Sequence, residues 1–464
     1  MSIEAGFMVP HPPLIIPDVG KGEERGIQRT IDAYKEIAGK IAHIAPELII
    51  VTSPHATMYG DYFHISPGTK AHGSFANFRA PQVRIDVEYD VPFRNALRTN
   101  IEKSDVRAGT DGERDPALDH GTMIPLYFIN EFYTDYRIIR IGLSGMPLME
   151  NYKLGRLIAK TVEETGRKAV FVASGDLSHK LLAEGPYGFS SDGPKYDERI
   201  MKDMGNGDFK NLLSYDDRFL RSAAECGHGS FTIMAGAFDG IDVDAKILSH
   251  EGPFGVGYGI CSFYPKGKAT GRDFLDIYEE ATRKEREKLM TKEDEYIKLA
   301  RNSLETFVTT HGHMPLPHSL PENMYQERAG AFVSLHINGQ LRGCIGTIAP
   351  VQENLAMEII ENAVSAGTKD PRFPPVKESE LPFIEISVDV LSPAEDIASM
   401  DELDVKEYGV IVTKGYKRGL LLPNLDGVDT IEEQVAIAKK KAGIPESDND
   451  VKLQRFRVVR HEAG

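Results

Sequence analysis

The stretch KAVFVASGDLSHK, residues 168–180, decides the fold, because a buried strand and a polar turn follow one another within it. After Lys168 the first residues are all apolar, which is typical of a strand that is buried on both faces of a parallel sheet. The turn that follows contains Asp176 and His179. Ligands of open α/β sheets bind just beyond the carboxyl ends of strands, so this turn predicts a functional site.

Other apolar runs in the first half of the chain have the same character. The strand candidates are 3–9, 47–52, 137–143, 168–173, 245–248 and 257–263. Helical spacing of apolar residues lies between them at 26–44 and 153–165. Strands that alternate with helices predict βαβ units, and therefore a mainly parallel central sheet with helices on both faces.

Composition and charge exclude several classes of function. A chain of 464 residues predicts two or three domains, and its net charge of −16 argues against nucleic acid as a partner. Three cysteines give no disulfide framework and favour a reducing compartment. The first residues lack the pattern of a signal peptide, and no apolar run reaches the length of a membrane span. We expect a cytoplasmic protein that contacts no membrane.

Three histidines follow three separate strand candidates. His11 lies in PHPPL, His55 in SPHAT and His179 in SGDLSHK. Side chains at the ends of neighbouring parallel strands converge, so we expect one shared site. Two further histidines, His120 in LDHGT and His228 in CGHGS, precede helical patterns and have glycine next to them. Glycine permits the close approach of backbone to a ligand.

The third metal ligand has two carboxylate candidates. Two imidazoles and one carboxylate form the facial triad of non-heme Fe(II) oxygenases, although the same set also makes a catalytic zinc site. Glu225 precedes Cys226-Gly227 at the start of a helical pattern, and Glu251 opens a glycine-rich turn. Either carboxylate could instead be an ordinary charge at a helix end or turn. We favour Glu225 as the ligand.

The order of the histidine motifs resembles a known family. The motifs are PHPPL, SPHA, DHGT, SGDLSH and ECG, and they span about residues 1–265. This order is similar to that in the LigB-type catalytic subunit of class III extradiol dioxygenases. The resemblance implies a non-heme Fe(II) oxygenase that cleaves the ring of a small catechol-like aromatic substrate with O2.

The resemblance also implies roles for individual residues. His11, His55 and Glu225 would hold Fe(II). His179 would transfer protons as the catalytic acid and base, and His120 would line the substrate pocket. A histidine suits proton transfer because its ordinary pKa lies near neutrality.

Memo-type proteins share this fold and offer an alternative. Their third ligand is a cysteine in a CG motif, which corresponds here to Cys226. A cysteine ligand favours copper or another soft metal. The chain would then be a redox or interaction protein without ring-cleaving activity.

The second half of the chain predicts a smaller α+β domain. We expect a linker at 266–274, where PKGKATGR interrupts the pattern, and a domain at 275–464. Asn338-Gly339 predicts a hairpin between strands at 331–337 and 340–345. The second of these strands reads QLRGCIGTI and resembles the AMMECR family, whose biochemical role is not established.

Cys344 of this motif has three interpretations. It is a small buried residue in a tight sheet, which we favour, or a thiol made reactive by Arg342, or part of a ligand groove. The combination of Memo-like and AMMECR-like segments resembles a proposed system that includes a radical-SAM protein. By this analogy we expect a radical-SAM protein as a partner. The dioxygenase resemblance implies a small aromatic substrate and O2, and a homo-oligomer of this chain is a further expectation.

Overall fold

The structure is a computed structural model that describes residues 3–337, 339–425, 427–448 and 450–463. It divides into two compact units, Met1–Tyr278 and Glu279–Gly464. Among the described residues, no helix combines the length and the apolar character that crossing a membrane requires.

The first unit contains ten strands and eight helices in the described part of the chain. The strands are β1 (Ile3–Val9), β2 (Leu48–Ser53), β3 (Phe63–His64), β4 (Lys70–Phe75), β5 (Ala80–Glu88), β6 (Ala108–Gly109), β7 (Arg137–Gly142), β8 (Ala169–Ser174), β9 (Ile241–Glu251) and β10 (Tyr258–Lys268). The helices are α1 (Pro17–Gly20), α2 (Gln28–Ile44), α3 (Val91–Glu102), α4 (His120–Asn130), α5 (Leu148–Thr165), α6 (Asp192–Asn206), α7 (Asp217–Ala223) and α8 (His228–Ala237). Helix α9 (Phe274–Met290) contains the point where the two units divide.

The central sheet of the first unit has the strand order β7-β2-β8-β1-β10-β9. Strands β7, β2, β8 and β1 are parallel neighbours, and β10 and β9 add an antiparallel edge. Ile50 lies opposite Phe171, and Phe7 lies opposite Val172, so β8 is central. The expectation of a mainly parallel sheet is confirmed.

Alternate residues of the central strands face two separate cores. On β1, Met8 joins one apolar cluster, whereas its neighbours Phe7 and Val9 join another. Helices α3, α5, α6 and α8 cover the first face, and α2 and α4 cover the second. Because successive side chains of a strand point to opposite faces, strands that are apolar throughout require helices on both sides.

Helices α5 and α8 cross at glycine residues. A Cβ atom placed on Gly155 would lie 2.0 Å from the carbonyl oxygen of Ile233. A Cβ atom on Gly236 would lie 2.0 Å from the carbonyl oxygen of Tyr152. Only residues without a Cβ permit this approach of two backbones, and the contact fixes the position of α8.

The structure corrects the linker that we expected at 266–274. Strand β10 continues to Lys268, which pairs with Ile241. The register shifts between Pro265 and Gly267, and the φ angle of Gly267 is +147°, so this glycine belongs to a bulge. Gly267, which we had interpreted as part of a linker, therefore belongs to an irregular strand that remains paired.

The second unit has two four-stranded sheets, with orders β12-β11-β13-β18 and β14-β17-β15-β16. Its strands are β11 (Ala331–Ile337), β12 (Gln340–Gly346), β13 (Glu385–Leu391), β14 (Glu395–Ile397), β15 (Gly409–Lys414), β16 (Lys417–Leu421), β17 (Lys452–Phe456) and β18 (Val458–Glu462). Its helices after α9 are α10 (Glu295–Thr310), α11 (Glu322–Gln326), α12 (Leu355–Thr368) and α13 (Ile431–Ala442). Strands β11 and β12 pair antiparallel as predicted, although Asn338 of the predicted turn lies outside the described residues.

Candidate metal centre

Three adjacent strands of the central sheet lead into the candidate site. His55 follows β2, Asp176 and His179 follow β8, and His11 follows β1. The order β2-β8-β1 makes these strands direct neighbours. Because parallel neighbours are about 4.8 Å apart, the loops after them are held close together by the sheet itself.

His11, His55 and Cys226 come together at this edge. The Nε2 atoms of His11 and His55 are 3.0 Å apart, and the Sγ atom of Cys226 lies 3.6 Å from Nε2 of His11. One ligand atom from each residue lies within 4.8 Å of the others, the only such group of histidine, cysteine or acidic residues in the described ranges. The predicted convergence of His11 and His55 is therefore present in the structure.

Glu225, which we favoured as the third ligand, is not brought to the two histidines. Its carboxylate accepts a hydrogen bond from the backbone N–H of His228 at 2.6 Å, at the start of α8. Ala224 has a φ angle of +52°, and this left-handed residue sets the direction in which the next two side chains leave the chain. Burial raises the pKa of Glu225 to about 7.

The other candidates from the sequence have structural roles. The carboxylate of Glu251 accepts hydrogen bonds from the backbone N–H and the hydroxyl of Thr30, at 2.8 and 2.7 Å. His228 is fully buried, and its Nε2 lies 3.0 Å from the carbonyl oxygen of Leu212. Neither residue belongs to the group of His11, His55 and Cys226.

Ser174, the last residue of β8, selects the tautomer of His11. The hydroxyl of Ser174 donates to the carbonyl oxygen of Gly121 at 2.6 Å, so it accepts from Nδ1 of His11 at 3.0 Å. A proton on Nδ1 leaves the lone pair of Nε2 directed at His55 and Cys226. The sequence analysis missed this residue, although a serine directly after an apolar strand was a visible signal.

Asp176 holds the backbone of the site. Its Oδ1 accepts from the backbone N–H of His11 at 2.6 Å, and its own N–H donates to Sγ of Cys226 at 3.3 Å. Burial raises the pKa of Asp176 to about 6. Asp176 thus joins β1, β8 and the segment before α8.

Two predicted histidines flank the group without belonging to it. The ring centroid of His120 lies 4.0 Å from that of His55 and 5.3 Å from that of Phe78. Nδ1 of His179 donates to the carbonyl oxygen of Ala224 at 2.5 Å, and its ring contacts Tyr187 edge to face. Burial, followed by the nearby His55 and His11, lowers the pKa of His120 to about 3.

Burial favours the neutral forms of the three candidate ligands. Burial, and then the neighbouring His55, lower the pKa of His11 well below its ordinary value. Burial raises the pKa of the Cys226 thiol well above its ordinary value. Two neutral imidazoles and one thiol fit a transition metal, because a bound cation deprotonates a coordinating thiol. They do not fit the two-histidine, one-carboxylate set of extradiol Fe(II) enzymes.

Comparisons with known proteins agree with this division of the chain. Residues 5–261 match the family described as the catalytic LigB subunit of aromatic ring-opening dioxygenase, and residues 297–461 match AMMECR1. A protein of Clostridium acetobutylicum is 41% identical over 472 residues, covering all of both chains. A protein of Thermotoga maritima is 53% identical over 174 residues, which is 37% of this chain and all of the relative.

One solved structure, of an uncharacterized Pyrococcus horikoshii protein, is 33% identical, with a TM-score of 0.34. It covers 36% of this chain and 88% of its own. The resemblances expected from the motifs are confirmed by the two family matches. This chain belongs to the family of catalytic LigB subunits of aromatic ring-opening dioxygenases, and it also carries an AMMECR1 domain.

Proposed function

We propose that the LigB domain is a metal-dependent redox protein whose metal is bound by His11, His55 and Cys226. The observation that carries this proposal is the position of the Cys226 thiol, 3.6 Å from Nε2 of His11. Thiolate and imidazole ligands together favour copper among the redox metals, and they also bind zinc. The bound metal supplies the electron transfer, whereas the protein supplies binding and proton transfer.

Ring cleavage of a small aromatic substrate with O2 is the second candidate function. It is favoured by the match to LigB and by two histidines that stand beside the metal ligands. Because Nδ1 of His179 donates to a backbone carbonyl, its Nε2 is the atom that takes a proton from a substrate hydroxyl and returns it. His120 and Phe78 would pack against the aromatic ring.

The neighbouring residues Glu225 and Cys226 provide a matched test. The protein would be purified without oxygen, loaded separately with Cu(I), Zn(II) and Fe(II), and analysed for bound metal. Cys226→Ser should lose metal, whereas Glu225→Gln should retain one ion per chain, because glutamine can still accept from the His228 amide. A thiolate-to-copper absorption band after oxidation would identify the sulfur ligand directly.

The opposite result would overturn the ligand assignment. If Glu225→Gln loses metal and Cys226→Ser retains it, the carboxylate is the ligand. Catechol turnover by the Fe(II)-loaded protein under O2 would favour ring cleavage over the copper redox function.

We propose the cytoplasm as the cellular setting of the protein. Cys226, Cys261 and Cys344 are all free in the structure, which supports the cytoplasm as the compartment. A radical-SAM partner protein stays a prediction of the sequence resemblance, and self-association stays a separate prediction.

A further inference from the structure

Cys344 of the AMMECR1 domain is half-buried and lines a cavity of about 510 Å³, which corrects its interpretation as a buried residue of a tight sheet. The hydroxyl of Ser334 donates to its Sγ atom at 3.2 Å, and Arg342 binds Glu380 at 2.7 Å. Arg342 is therefore engaged by a carboxylate rather than by the thiol. A charged side chain beside the metal centre of the LigB domain supports a stronger inference.

Asp119 is a largely buried acid at the start of helix α4, directly before His120, and its side chain is 11% exposed. Its Oδ1 atom accepts from the Ser53 hydroxyl at 2.5 Å and from the Thr122 backbone N–H at 3.0 Å. Burial raises the pKa of Asp119, but the hydrogen bonds from Ser53 and Thr122 and the charge of Arg140 outweigh it and hold this pKa below its ordinary value. The carboxylate is therefore ionised at neutral pH.

Asp119 is connected to the segments that carry both histidine ligands. Ser53, which ends β2, donates to Asp119 and accepts from the backbone N–H of His55 at 3.2 Å. A Cβ atom placed on Gly121 would meet the Ser53 hydroxyl and would lie 3.1 Å from Oδ1 of Asp119 and 3.4 Å from Nδ1 of His11. The carboxylate, the hydroxyl and the imidazole of His11 therefore border one small space that only a glycine leaves open.

Arg140 compensates the charge of Asp119 only in part. Its Nη1 atom lies 3.7 Å from Oδ2 of Asp119, which is longer than a hydrogen bond, and donates instead to the carbonyl oxygen of Ala117 at 2.6 Å. Its Nη2 atom donates to Glu113 at 3.4 Å. Because two carboxylates share one guanidinium, the negative potential of Asp119 toward the metal centre is only partly cancelled.

The charge of Asp119 acts on both proposed histidine ligands. Burial lowers the pKa of His11 and of His55, and the negative charge of Asp119 acts in the opposite direction on both. A charge that favours a proton on an imidazole also favours a cation at the same nitrogen, because both effects are Coulombic. Two neutral imidazoles and a thiolate leave no net charge around Cu(I) and one positive charge around Cu(II), so the carboxylate favours Cu(II).

We propose that Asp119 sets the reduction potential of the metal centre by stabilising the more highly charged oxidation state of the metal. This inference rests on the redox function proposed above and assigns its control to a residue outside the ligand set. The step is a one-electron transfer, in which an external one-electron reductant converts Cu(II) to Cu(I) and no proton moves. Asp119 is a positioning residue, which acts through its charge and through Ser53.

Asp119→Asn tests the charge, because the amide keeps an oxygen that can accept from Ser53 and from the Thr122 N–H. The affinities of the full-length protein for Cu(I) and for Cu(II) would be measured separately, by competition with chelators. We expect the variant to weaken Cu(II) binding about tenfold more than Cu(I) binding, which raises the reduction potential by about 59 mV. Equal weakening of both oxidation states would show a merely structural role and would overturn the proposal.

Asp90 provides a matched control, because it is also a buried aspartate that begins a helix and binds an arginine. Its carboxylate accepts from the Phe93 backbone N–H at 3.0 Å at the start of α3, and Nε of Arg167 lies 2.9 Å from its Oδ2. Its own N–H donates to Ile138 near the beginning of β7, whereas the ligand histidines follow strand ends. Asp90→Asn should therefore leave the ratio of the Cu(I) and Cu(II) affinities unchanged.

Zinc distinguishes a failure of this inference from a failure of the redox function. Zn(II) carries the same charge as Cu(II) and has no redox chemistry, so Asp119→Asn should bind it about tenfold more weakly than Asp90→Asn does. A protein that binds zinc but no copper would overturn the redox function, while the weaker zinc binding of Asp119→Asn would still support the charge effect of Asp119. Unchanged zinc affinity in Asp119→Asn would overturn the inference itself.

Discussion

The imidazole of His11 has one tautomer that suits a metal, and a single hydroxyl selects it. The hydroxyl of Ser174 donates its hydrogen bond to the Gly121 carbonyl oxygen and can therefore only accept from Nδ1 of His11. Residues that orient a metal ligand in this way typically contribute 10- to 100-fold to metal affinity.

Removal of this hydroxyl should weaken metal binding without unfolding the domain. We expect Ser174→Ala to raise the dissociation constant for the metal by about 10- to 100-fold. Ser262→Ala is a matched control, because Ser262 is equally buried in the same sheet and its hydroxyl has no partner among the described residues. Competition titration with a chelator measures the metal affinity of both variants. Equal affinity in the two variants would contradict the role of Ser174.

Substitutions should distinguish the flanking histidines, His120 and His179, from the proposed metal ligands. We expect His179→Ala and His120→Ala to retain one metal per chain, because neither ring belongs to the ligand group. His11→Ala and His55→Ala should lose it. If ring cleavage is observed, His179→Ala should lower its rate by about 10²- to 10⁴-fold, the usual contribution of acid–base catalysis. Loss of metal from His179→Ala would show instead that this histidine is a ligand.

Asp370 gives a prediction of pH dependence in the AMMECR1 domain. A hydrogen bond from the Arg372 guanidinium, together with the Cys344 and Arg372 amides, holds the pKa of Asp370 well below its ordinary range. A carboxyl group whose pKa is lower in the folded protein than in the unfolded chain stabilises the fold at pH values above its unfolded pKa, which is about 3.9 for aspartate. This stabilisation is lost as the pH falls toward the pKa of the folded state.

We therefore expect Asp370→Asn to destabilise the domain equally at pH 5 and pH 7, by about 1–3 kcal/mol. The difference from the unmodified protein should shrink below about pH 4. Urea unfolding at several pH values measures this, with Asp450→Asn as a control because the Asp450 side chain is 99% exposed. A difference that grows as the pH falls would contradict the assignment.

The sequence predicted that His11 and His55 converge, but it did not decide that Cys226 rather than Glu225 lies beside them. His11 and His55 each follow an apolar strand, and strand ends can be found from apolar runs. Which of the two side chains, Glu225 or Cys226, lies toward the histidines depends on the left-handed φ angle of Ala224. An alanine in the sequence does not indicate a left-handed conformation. Because Glu225 and Cys226 are adjacent in one loop, the sequence did not decide which of them is the third ligand.

At the scale of elements, the position of the Cys226 thiol depends on the crossing of helices α5 and α8. Helix α8 begins two residues after Cys226, and its position depends on Gly155 and Gly236. A methyl group at either glycine would meet a backbone carbonyl, which cannot move as the end of a flexible side chain can. The helices would then separate, and the thiol would shift with α8.

We expect Gly155→Ala and Gly236→Ala each to destabilise the domain by about 1–3 kcal/mol or more, and to weaken metal binding. Gly39→Ala is the control, because Gly39 lies within α2 and a Cβ there meets no atom within 4 Å. That change should stabilise the domain by about 0.5–1 kcal/mol. Thermal unfolding would measure all three variants, and equal effects would contradict the close crossing.

Most strands of the central sheet were predictable, because they are apolar throughout. The hairpin of β4 and β5 was not predicted, although Val83, Ile85 and Val87 alternate with polar residues as an exposed strand requires. Its pairing depends on contacts that no single run of sequence displays. The end of β10 was missed for a different reason, since the bulge at Gly267 resembled a break in the strand.

At the scale of the whole molecule, the first unit extends further than the sequence suggested. Phe274 and Leu275 are 9% and 6% exposed and belong to its larger apolar core. Arg272 donates to the carbonyl oxygens of Ile241 and Gly207, at 2.9 and 2.6 Å. The natural end of this domain therefore lies within α9.

A chain truncated after Met290 should fold and bind metal, whereas one truncated after Gly267 should be much less stable. The shorter fragment loses the burial of Phe274 and Leu275, about 1.5–3 kcal/mol for each side chain. Urea unfolding and metal analysis of both fragments measure the difference. Equal stability would place the domain end at the earlier position.

The side-by-side placement of Glu225 and Cys226 has an evolutionary consequence. In the proposed metal site, the sheet fixes the positions of the two histidines, whereas the third donor comes from a short segment before α8. A shift of that segment by one residue would exchange an oxygen donor for a sulfur donor and leave every strand in place. Descendants of one ancestral fold could thus diverge between hard and soft metals through a single insertion or deletion in this loop.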